Sequence, residues 1–263
     1  MEDNLSYLSE VDKNLKVIQL TLFMVKVELL RYTPDGIKLI AESCRVSGIP
    51  PDISDEEVVR MVVENDYSSV LEHIVFTFDV SEISVALSRE LLEHRIASHT
   101  ARSTRYHDER NFGYVIPPPI RNDPELVEMF KQAMESAREH YVKVFDKMIE
   151  KGYSKEKARE VARYVLPMAT HTHYVWTINA RSLINFLGLR LCKRAAPEIR
   201  ELAQKIYDIV VKIYPEIFEN IGCRGYNLGL CPENEARPKD CPYAKIIPTK
   251  KKIKETWKGK VQK

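Results

Sequence analysis

The sequence predicts an α+β fold, a single domain in which an antiparallel sheet packs against long helices. Several segments place apolar residues at helical spacing, and the longest of them runs from Pro124 to Met148. A few shorter segments alternate β-branched and aromatic residues with polar ones, as half-buried strands do. Hydrophobic residues make up 44% and charged residues 30% of the 263 residues, an ordinary composition for a globular domain with a sizeable core.

Local patterns predict the elements near the N-terminus. Residues 15–30 are rich in Val, Ile, Leu and Phe, and their second half alternates as a strand does. A turn signal at 33–36 precedes helical spacing at 37–44. Ser54 with Glu57 three residues later is a capping-box pattern, which predicts that another helix begins there.

The next elements surround a polar segment. Residues 72–80 predict a second strand, and residues 85–92 predict an amphipathic helix. Serine and threonine lower helix propensity, so this helix should fray between Ser98 and Ser103 and continue as a loop.

The second half of the chain is predicted to be mostly helical. Asp123-Pro124 indicates the start of the long helix and Gly152 its C-cap, while Ser154 caps the next helix. The remaining predicted elements are a strand at 170–179, helices at 180–191 and 197–218, and an irregular segment from 222 that ends in a lysine-rich tail.

The net charge, the length of the apolar runs and the cysteine count exclude several classes of function. A net charge of +2 is too near neutral for a dedicated nucleic-acid binder. No apolar run approaches the length of a membrane span, and the charged N-terminus does not match a signal peptide. Five cysteines form no paired framework, which fits a reducing compartment. We therefore expect a cytoplasmic protein with no membrane partner, and we do not expect nucleic-acid binding.

Residues 93–106 form a dense set of groups that can bind anions. They include three arginines, two histidines, two serines and two threonines. Guanidinium and hydroxyl groups bind phosphate oxygens, so the segment is a candidate phosphate site. A solvated basic turn would have the same composition, and the motifs around the segment have to distinguish the two.

Those motifs resemble the flavin-dependent thymidylate synthase family. The family signature is Arg-His-Arg, seven residues and a serine, and here it corresponds to 93–103, extended by Arg105-Tyr106 and preceded by 72–78. The segments 163–167 and 179–190 resemble the second half of the same pattern. The resemblance covers residues 25 to 240 and implies a family-like domain at 1–245, followed by the tail at 246–263.

The resemblance implies an activity and its cofactors. Members of the family are homotetramers with active sites between subunits, and they methylate dUMP at C5 to give dTMP. The carbon comes from methylenetetrahydrofolate or a related pterin, reduced FAD supplies the hydride, and NADPH is the reductant. No covalent enzyme nucleophile is implied, because the flavin performs the redox step while the protein orients the reactants.

The matched positions give candidate site residues and no metal site. Arg190 corresponds to the arginine that faces the pyrimidine, where a guanidinium can stabilise negative charge as C5 becomes nucleophilic. The implied flavin-binding residues are Ser69, His94, Arg95, Ile96, Asn179, Arg181 and Asn185. The implied substrate-binding residues are Glu90, Ser103, Thr104, Arg105, Arg163 and Arg190.

Plainer interpretations of the same residues stay open at this point. Arg163 and Arg181 could form surface ion pairs, and Asn179 could cap the helix that begins at Ala180. Two other functions also fit the sequence. One is a paralogue with the same fold and flavin that acts on another pyrimidine or one-carbon carrier. The other is a non-catalytic nucleotide- or nucleic-acid-binding protein that uses the basic tail.

Four positions depart from the family pattern. Glu93 replaces the first arginine of the signature and Glu90 a common glutamine, while Thr100 and Ala101 replace an asparagine and a glutamate. An unpaired carboxylate about 4 Å from a phosphate would cost roughly 4 kcal/mol at an effective dielectric constant near 20. We therefore expect Glu90 and Glu93 to pair with Arg89, Arg102 or a neighbouring subunit, unless the ligand differs.

The cysteines near the C-terminus are a weaker signal. Cys223, Cys231 and Cys241 could be thiolate ligands of zinc or an iron–sulfur site, with Cys192 as the fourth. Their spacings are not those of close Cys-x-x-Cys pairs, so structural cysteines are the prediction.

Overall fold

A computed structural model describes residues 25–261 of the chain, and residues 15–24 of the apolar N-terminal segment lie outside that range. The strands are β1 (Lys26–Tyr32), β2 (Val75–Ser84), β3 (Ala97–Ala101) and β4 (His171–Asn179). The α-helices are α1 (Gly36–Val46), α2 (Asp55–Glu64), α3 (Val85–Leu92), α4 (Pro124–Glu150), α5 (Lys155–Ala162), α6 (Ala180–Arg190), α7 (Pro197–Ile213), α8 (Pro215–Phe218), α9 (Arg224–Asn227) and α10 (Lys250–Val261). No helix within the described range is long and apolar enough to cross a membrane.

The four strands form one antiparallel sheet in the order β1-β2-β4-β3, which confirms the predicted α+β class. The prediction of a loop after α3 was wrong, because residues 97–101 form the edge strand β3. Pairing with β4 gives the backbone partners that a loop would lack, and the ring of His99 packs 6.3 Å from that of Trp176 on β4. Tertiary pairing here outweighs the weak strand propensity of alanine, which supplies two of the five residues.

The predicted helix starts are confirmed by their caps. Ser54 and Ser154 each accept a hydrogen bond from the backbone N–H three residues later, at 3.2 Å. At the start of α4 the side chain of Asp123 accepts hydrogen bonds from the backbone N–H groups of Glu125 and Leu126. The helix predicted at 197–218 is interrupted between α7 and α8, where Pro215 cannot donate a backbone hydrogen bond.

The described chain divides into two compact units. One comprises residues 25–26, 81–89 and 101–173, and the other comprises 27–80, 90–100 and 174–261. In the first unit, Tyr141 and Phe145 on α4 stack with ring centroids 6.4 Å apart. They pack against Ala158 and Ala162 on α5, so the apolar face of the C-terminal half of the long helix is covered.

The second unit contains a continuous row of buried aromatic rings. Phe76 and Phe78 on β2 lie 6.0 Å apart, Phe78 lies 6.2 Å from Trp176 on β4, and Trp176 lies 5.0 Å from Phe186 on α6. Each of these four side chains is fully buried. The row fixes α6 against the sheet through edge-to-face and tilted contacts.

The hydroxyl of Tyr214 links the turn after β1 to the end of α7 through two hydrogen bonds. It accepts a hydrogen bond from the backbone N–H of Gly36 at 3.0 Å and donates one to the carbonyl of Thr33. A side chain at position 36 would not fit, since its Cβ would lie 2.5 Å from Ile74 Cδ1 and 2.6 Å from the Tyr214 hydroxyl. Glycine is therefore required at this close approach.

The segment after Gly222 is more regular than predicted. Cys231 exchanges backbone hydrogen bonds with Pro248 and Lys250 at 2.8 Å each, and α10 follows directly. The lysine-rich segment predicted as a tail is thus a helix whose first residue pairs with Cys231. The predicted domain boundary at residue 245 stays a prediction.

We expect Tyr214→Phe to destabilise the fold by about 1–3 kcal/mol, because the buried N–H of Gly36 loses its acceptor. Urea unfolding followed by circular dichroism measures this. Tyr67→Phe is the control, because Tyr67 is 60% exposed. Equal unfolding free energies for the two variants would contradict the assigned role.

Candidate functional site

Helix α6 bears three of the predicted site residues, Arg181, Asn185 and Arg190, and a fourth, Asn179, precedes it. Asn179, the last residue of β4, caps the helix by accepting a hydrogen bond from the N–H of Ser182 at 2.9 Å. The N–H of Ala180 donates to the carbonyl of Ile74 at 2.8 Å, which joins the helix start to the residue before β2. Arg181 therefore lies in the first turn and Arg190 in the last turn of a helix that is fixed at its beginning.

The guanidinium of Arg190 is held by three hydrogen bonds. Its Nη1 donates to the carboxylate of Glu90 at 2.9 Å and its Nη2 to the carbonyl of Glu90 at 3.4 Å. Its Nε donates to Nε2 of His94 at 3.1 Å. The Arg190 side chain is 20% exposed, so the group is held in one orientation while one part still faces solvent.

Glu90 has a different partner from those expected. It pairs with Arg190, one hundred residues away in sequence, and not with Arg89 or Arg102. Arg102 instead pairs with the buried Glu109 at 2.9 Å, and burial raises the pKa of that carboxyl group above its usual value in opposition to Arg102. Glu93 is exposed and forms no ion pair with any residue from 25 to 261.

His94 is a buried, neutral acceptor and not a cation. Burial is the main cause that lowers its pKa, and the charges of Arg190 and His99 lower it further, from 6.5 to about 4. Its ring lies edge-on to Phe186 with centroids 4.9 Å apart. Because Nε2 accepts from Arg190, the single proton of the neutral ring lies on Nδ1.

The next two predicted flavin residues are at the surface. Arg95 is exposed, and Ile96 is 74% exposed although it is aliphatic. They lie between His94 and the edge strand β3. An exposed isoleucine beside an arginine leaves both an apolar and a cationic group available to a ligand.

A cleft of about 530 Å³ in the second unit contains two more of the predicted flavin residues. Arg181 and Asn185 line it together with Arg60 and Arg224, which the sequence did not single out. Arg181 also pairs with Glu72 at 2.6 Å, and Arg60 lies 3.7 Å from Glu219. Ser69 is exposed and adjoins Ser68, which lines the cleft.

The predicted phosphate residues lie in the first unit. Ser103 begins a turn in which its carbonyl accepts from the N–H groups of Tyr106 and His107, at 3.2 and 3.1 Å. Arg105 pairs with Glu156 at 2.9 Å and lies 3.7 Å from Glu160.

Helix α5 brings a second arginine to the same region. Glu160 precedes Arg163 by three residues, and residues at this spacing lie on one face of a helical segment. Arg163 directly follows the last residue of α5, and Ser103 and Thr104 lead into the turn. The prediction that these residues form one group stays a prediction, and the pairing of Arg105 with two carboxylates was not foreseen.

Comparisons with known proteins identify the family of the chain. A family model described as "Thymidylate synthase complementing protein" matches residues 28–216. A protein named flavin-dependent thymidylate synthase from Clostridium tetani is 37% identical over 80% of this chain and 91% of its own length. Proteins of the same name from Nitratidesulfovibrio vulgaris and Saccharolobus solfataricus are 34% and 39% identical, over 80% and 76% of this chain and 92% and 77% of their own.

The neutral His94 predicts how stability depends on pH. Between pH 6.5 and about 4 the unfolded chain binds a proton at this histidine that the folded chain does not. Its contribution to stability is therefore complete above pH 6.5 and is lost as the pH falls towards 4. Urea unfolding at several pH values should show a shallower acid loss for His94→Gln than for the unchanged protein.

His140→Gln serves as the control, because His140 is an exposed histidine on α4. Its pH profile should match that of the unchanged protein. If His94→Gln also matched it, His94 would not be the buried neutral group described above.

Proposed function

The chain belongs to the thymidylate synthase complementing protein family, the flavin-dependent thymidylate synthases, and we propose that it methylates dUMP at C5 to give dTMP. The carbon donor is methylenetetrahydrofolate or a related pterin, and NADPH is the reductant. The observation that best supports this function is the fixed guanidinium of Arg190, at the position matched to the arginine that faces the pyrimidine.

Arg190 acts on the charge of the substrate ring. Attack by C5 on the incoming carbon requires electron density in the ring, with negative charge on N3 and O2. A guanidinium that is already oriented stabilises this charge without reorganising during the reaction. Glu90 and His94 provide that orientation, and the neutral state of His94 adds no second positive charge beside Arg190.

The residues of the second unit fit a flavin dinucleotide. Arg60, Arg181, Arg224 and Asn185 line the 530 Å³ cleft, which has the size of a cofactor site. The carboxylates of Glu64, Asp66, Glu216 and Glu219 line the same cleft, so the arginines that would bind the pyrophosphate are balanced by acidic groups there. FAD supplies the two-electron redox chemistry when it is bound. The residues that would hold it are Ser69, His94, Arg95, Ile96, Asn179, Arg181 and Asn185. Asn179 uses its Oδ1 as the helix cap, so its amide nitrogen is the atom left to bind a ligand.

The substrate phosphate is bound by Ser103, Thr104, Arg105 and Arg163. Arg105 is already paired with Glu156, so the phosphate has to share or replace that partner. Family resemblance implies a homotetramer with active sites between subunits, and the residues that bind the phosphate and the ring need not come from the same chain. We place the enzyme in the cytoplasm on the same ground.

The proposed reaction is tested by supplying dUMP labelled with tritium at C5. Protein purified with FAD should be yellow, and it should release tritium when methylenetetrahydrofolate and NADPH are present. Arg190→Ala should lower kcat by about 100- to 1,000-fold, as the loss of one charge-stabilising donor does elsewhere. Glu90→Gln keeps an acceptor for Nη1 and should lower kcat less.

Arg89→Ala is the matched control, since Arg89 is an exposed arginine one position before Glu90. It should leave kcat unchanged. A chain that binds no flavin in either redox state, or an Arg190→Ala variant as fast as the control, would refute the proposal.

The phosphate residues are tested by comparing dUMP with deoxyuridine. Arg163→Ala should raise KM for dUMP by about tenfold or more with little change in kcat, because binding to the phosphate is equal in ground and transition states. The preference for dUMP over deoxyuridine should shrink by the same factor. Arg110→Ala, which removes an exposed arginine paired with Asp108 in the same unit, should change neither value.

A further inference from the structure

Four of the five cysteines line one small cavity. Cys192, Cys223, Cys231 and Cys241 surround a space of about 150 Å³ in the second unit. They come from distant parts of the sequence: Cys192 follows the end of α6, Cys223 precedes α9, and the other two lie between α9 and α10. The fifth cysteine, Cys44, is buried on α1.

The backbone is built closely around these thiols. Cys231 is 8% exposed and is held by its two backbone hydrogen bonds to the segment that starts α10. Gly225 passes so near that a Cβ there would lie 3.3 Å from Cys231 Cα and 3.7 Å from its sulfur. Pro232, Pro238 and Pro242 also line the cavity and restrict its backbone, and the charged residues of the lining are Lys193, Arg224, Glu233 and Arg237.

We propose that Cys192, Cys223, Cys231 and Cys241 bind a metal centre through four thiolates. Four thiolates in a tetrahedral arrangement hold either zinc or an iron–sulfur cluster. Around a single zinc, Zn–S distances of about 2.3 Å bring the sulfurs to about 4 Å from one another.

The arrangement of the cavity bears on which centre it holds. Within residues 25–261, no three His, Cys, Asp or Glu side chains are gathered closely enough for one ion. Four thiols spread around a cavity of 150 Å³ therefore fit the larger centre better, since in a four-iron cluster each iron takes one cysteine. Both alternatives share a closed site in which the four protein ligands are cysteine thiolates.

Such a centre would have a structural role beside α6. Cys192 lies two residues after Arg190, and Cys231 is paired with the start of α10. The metal would thus tie the end of the helix that bears Arg190 to the C-terminal segment. This inference does not depend on the proposed reaction, because it concerns residues that the reaction does not use.

The test is elemental analysis of the full-length protein purified without oxygen. We expect either about one zinc per chain, or iron and acid-labile sulfide in equal amounts, and sulfide distinguishes the two centres. Cys231→Ser and Cys241→Ser should each lose most of this metal. Cys44→Ser should keep all of it, which controls for the loss of a cysteine as such.

Thiol labelling gives a second measurement that does not rely on the variants folding. In the native protein the four cavity thiols should react only after chelation or denaturation. The proposal is overturned if the unchanged protein holds no more zinc, iron or sulfide than Cys231→Ser, and takes up none when zinc or iron with sulfide is supplied.

Discussion

The hydrogen bonds that hold Arg190 are the constraint on which the rest of the site depends. They require the last turn of α3, the segment that follows it and the last turn of α6 to meet at one guanidinium. The ring of Phe186 supports this arrangement, because it packs against the rings of both Trp176 and His94. The buried aromatic row thus acts as more than a core, because it holds in place the helix that bears Arg190.

Glu90 and Glu93, the two acidic residues that depart from the family pattern, differ in whether their carboxylates are paired. Glu90 is neutralised by Arg190, so the cost of an unpaired carboxylate beside an anion site does not arise there. A glutamate at this position, where the family commonly has a glutamine, gives Arg190 a charged partner in place of a neutral one. It also lowers the net positive charge around Arg190. Glu93 is exposed, where water screens its charge, and it can remain without a partner at little cost.

Much of the fold followed from local sequence patterns, and most of what did not follow depends on long-range pairing. Caps such as Ser54 and Asp123 marked helix starts because their hydrogen bonds join residues two or three positions apart. Strand β3 was missed because its stability comes from β4, more than seventy residues later. The pairing of Glu90 with Arg190 and the gathering of four cysteines have no local signal, so family motifs could name residues but not their partners.

The Tyr214 hydrogen bonds have a consequence for how the chain is made. They join Gly36 and Thr33 to a residue 178 and 181 positions later. While the ribosome is still adding the middle of the chain, the turn after β1 cannot form these hydrogen bonds, and Phe76 of β2 lacks its ring contacts with Tyr214 and Phe218. The nascent protein must therefore carry this exposed apolar surface until nearly the whole domain has emerged, and it is during this interval that a chaperone would have the most to protect.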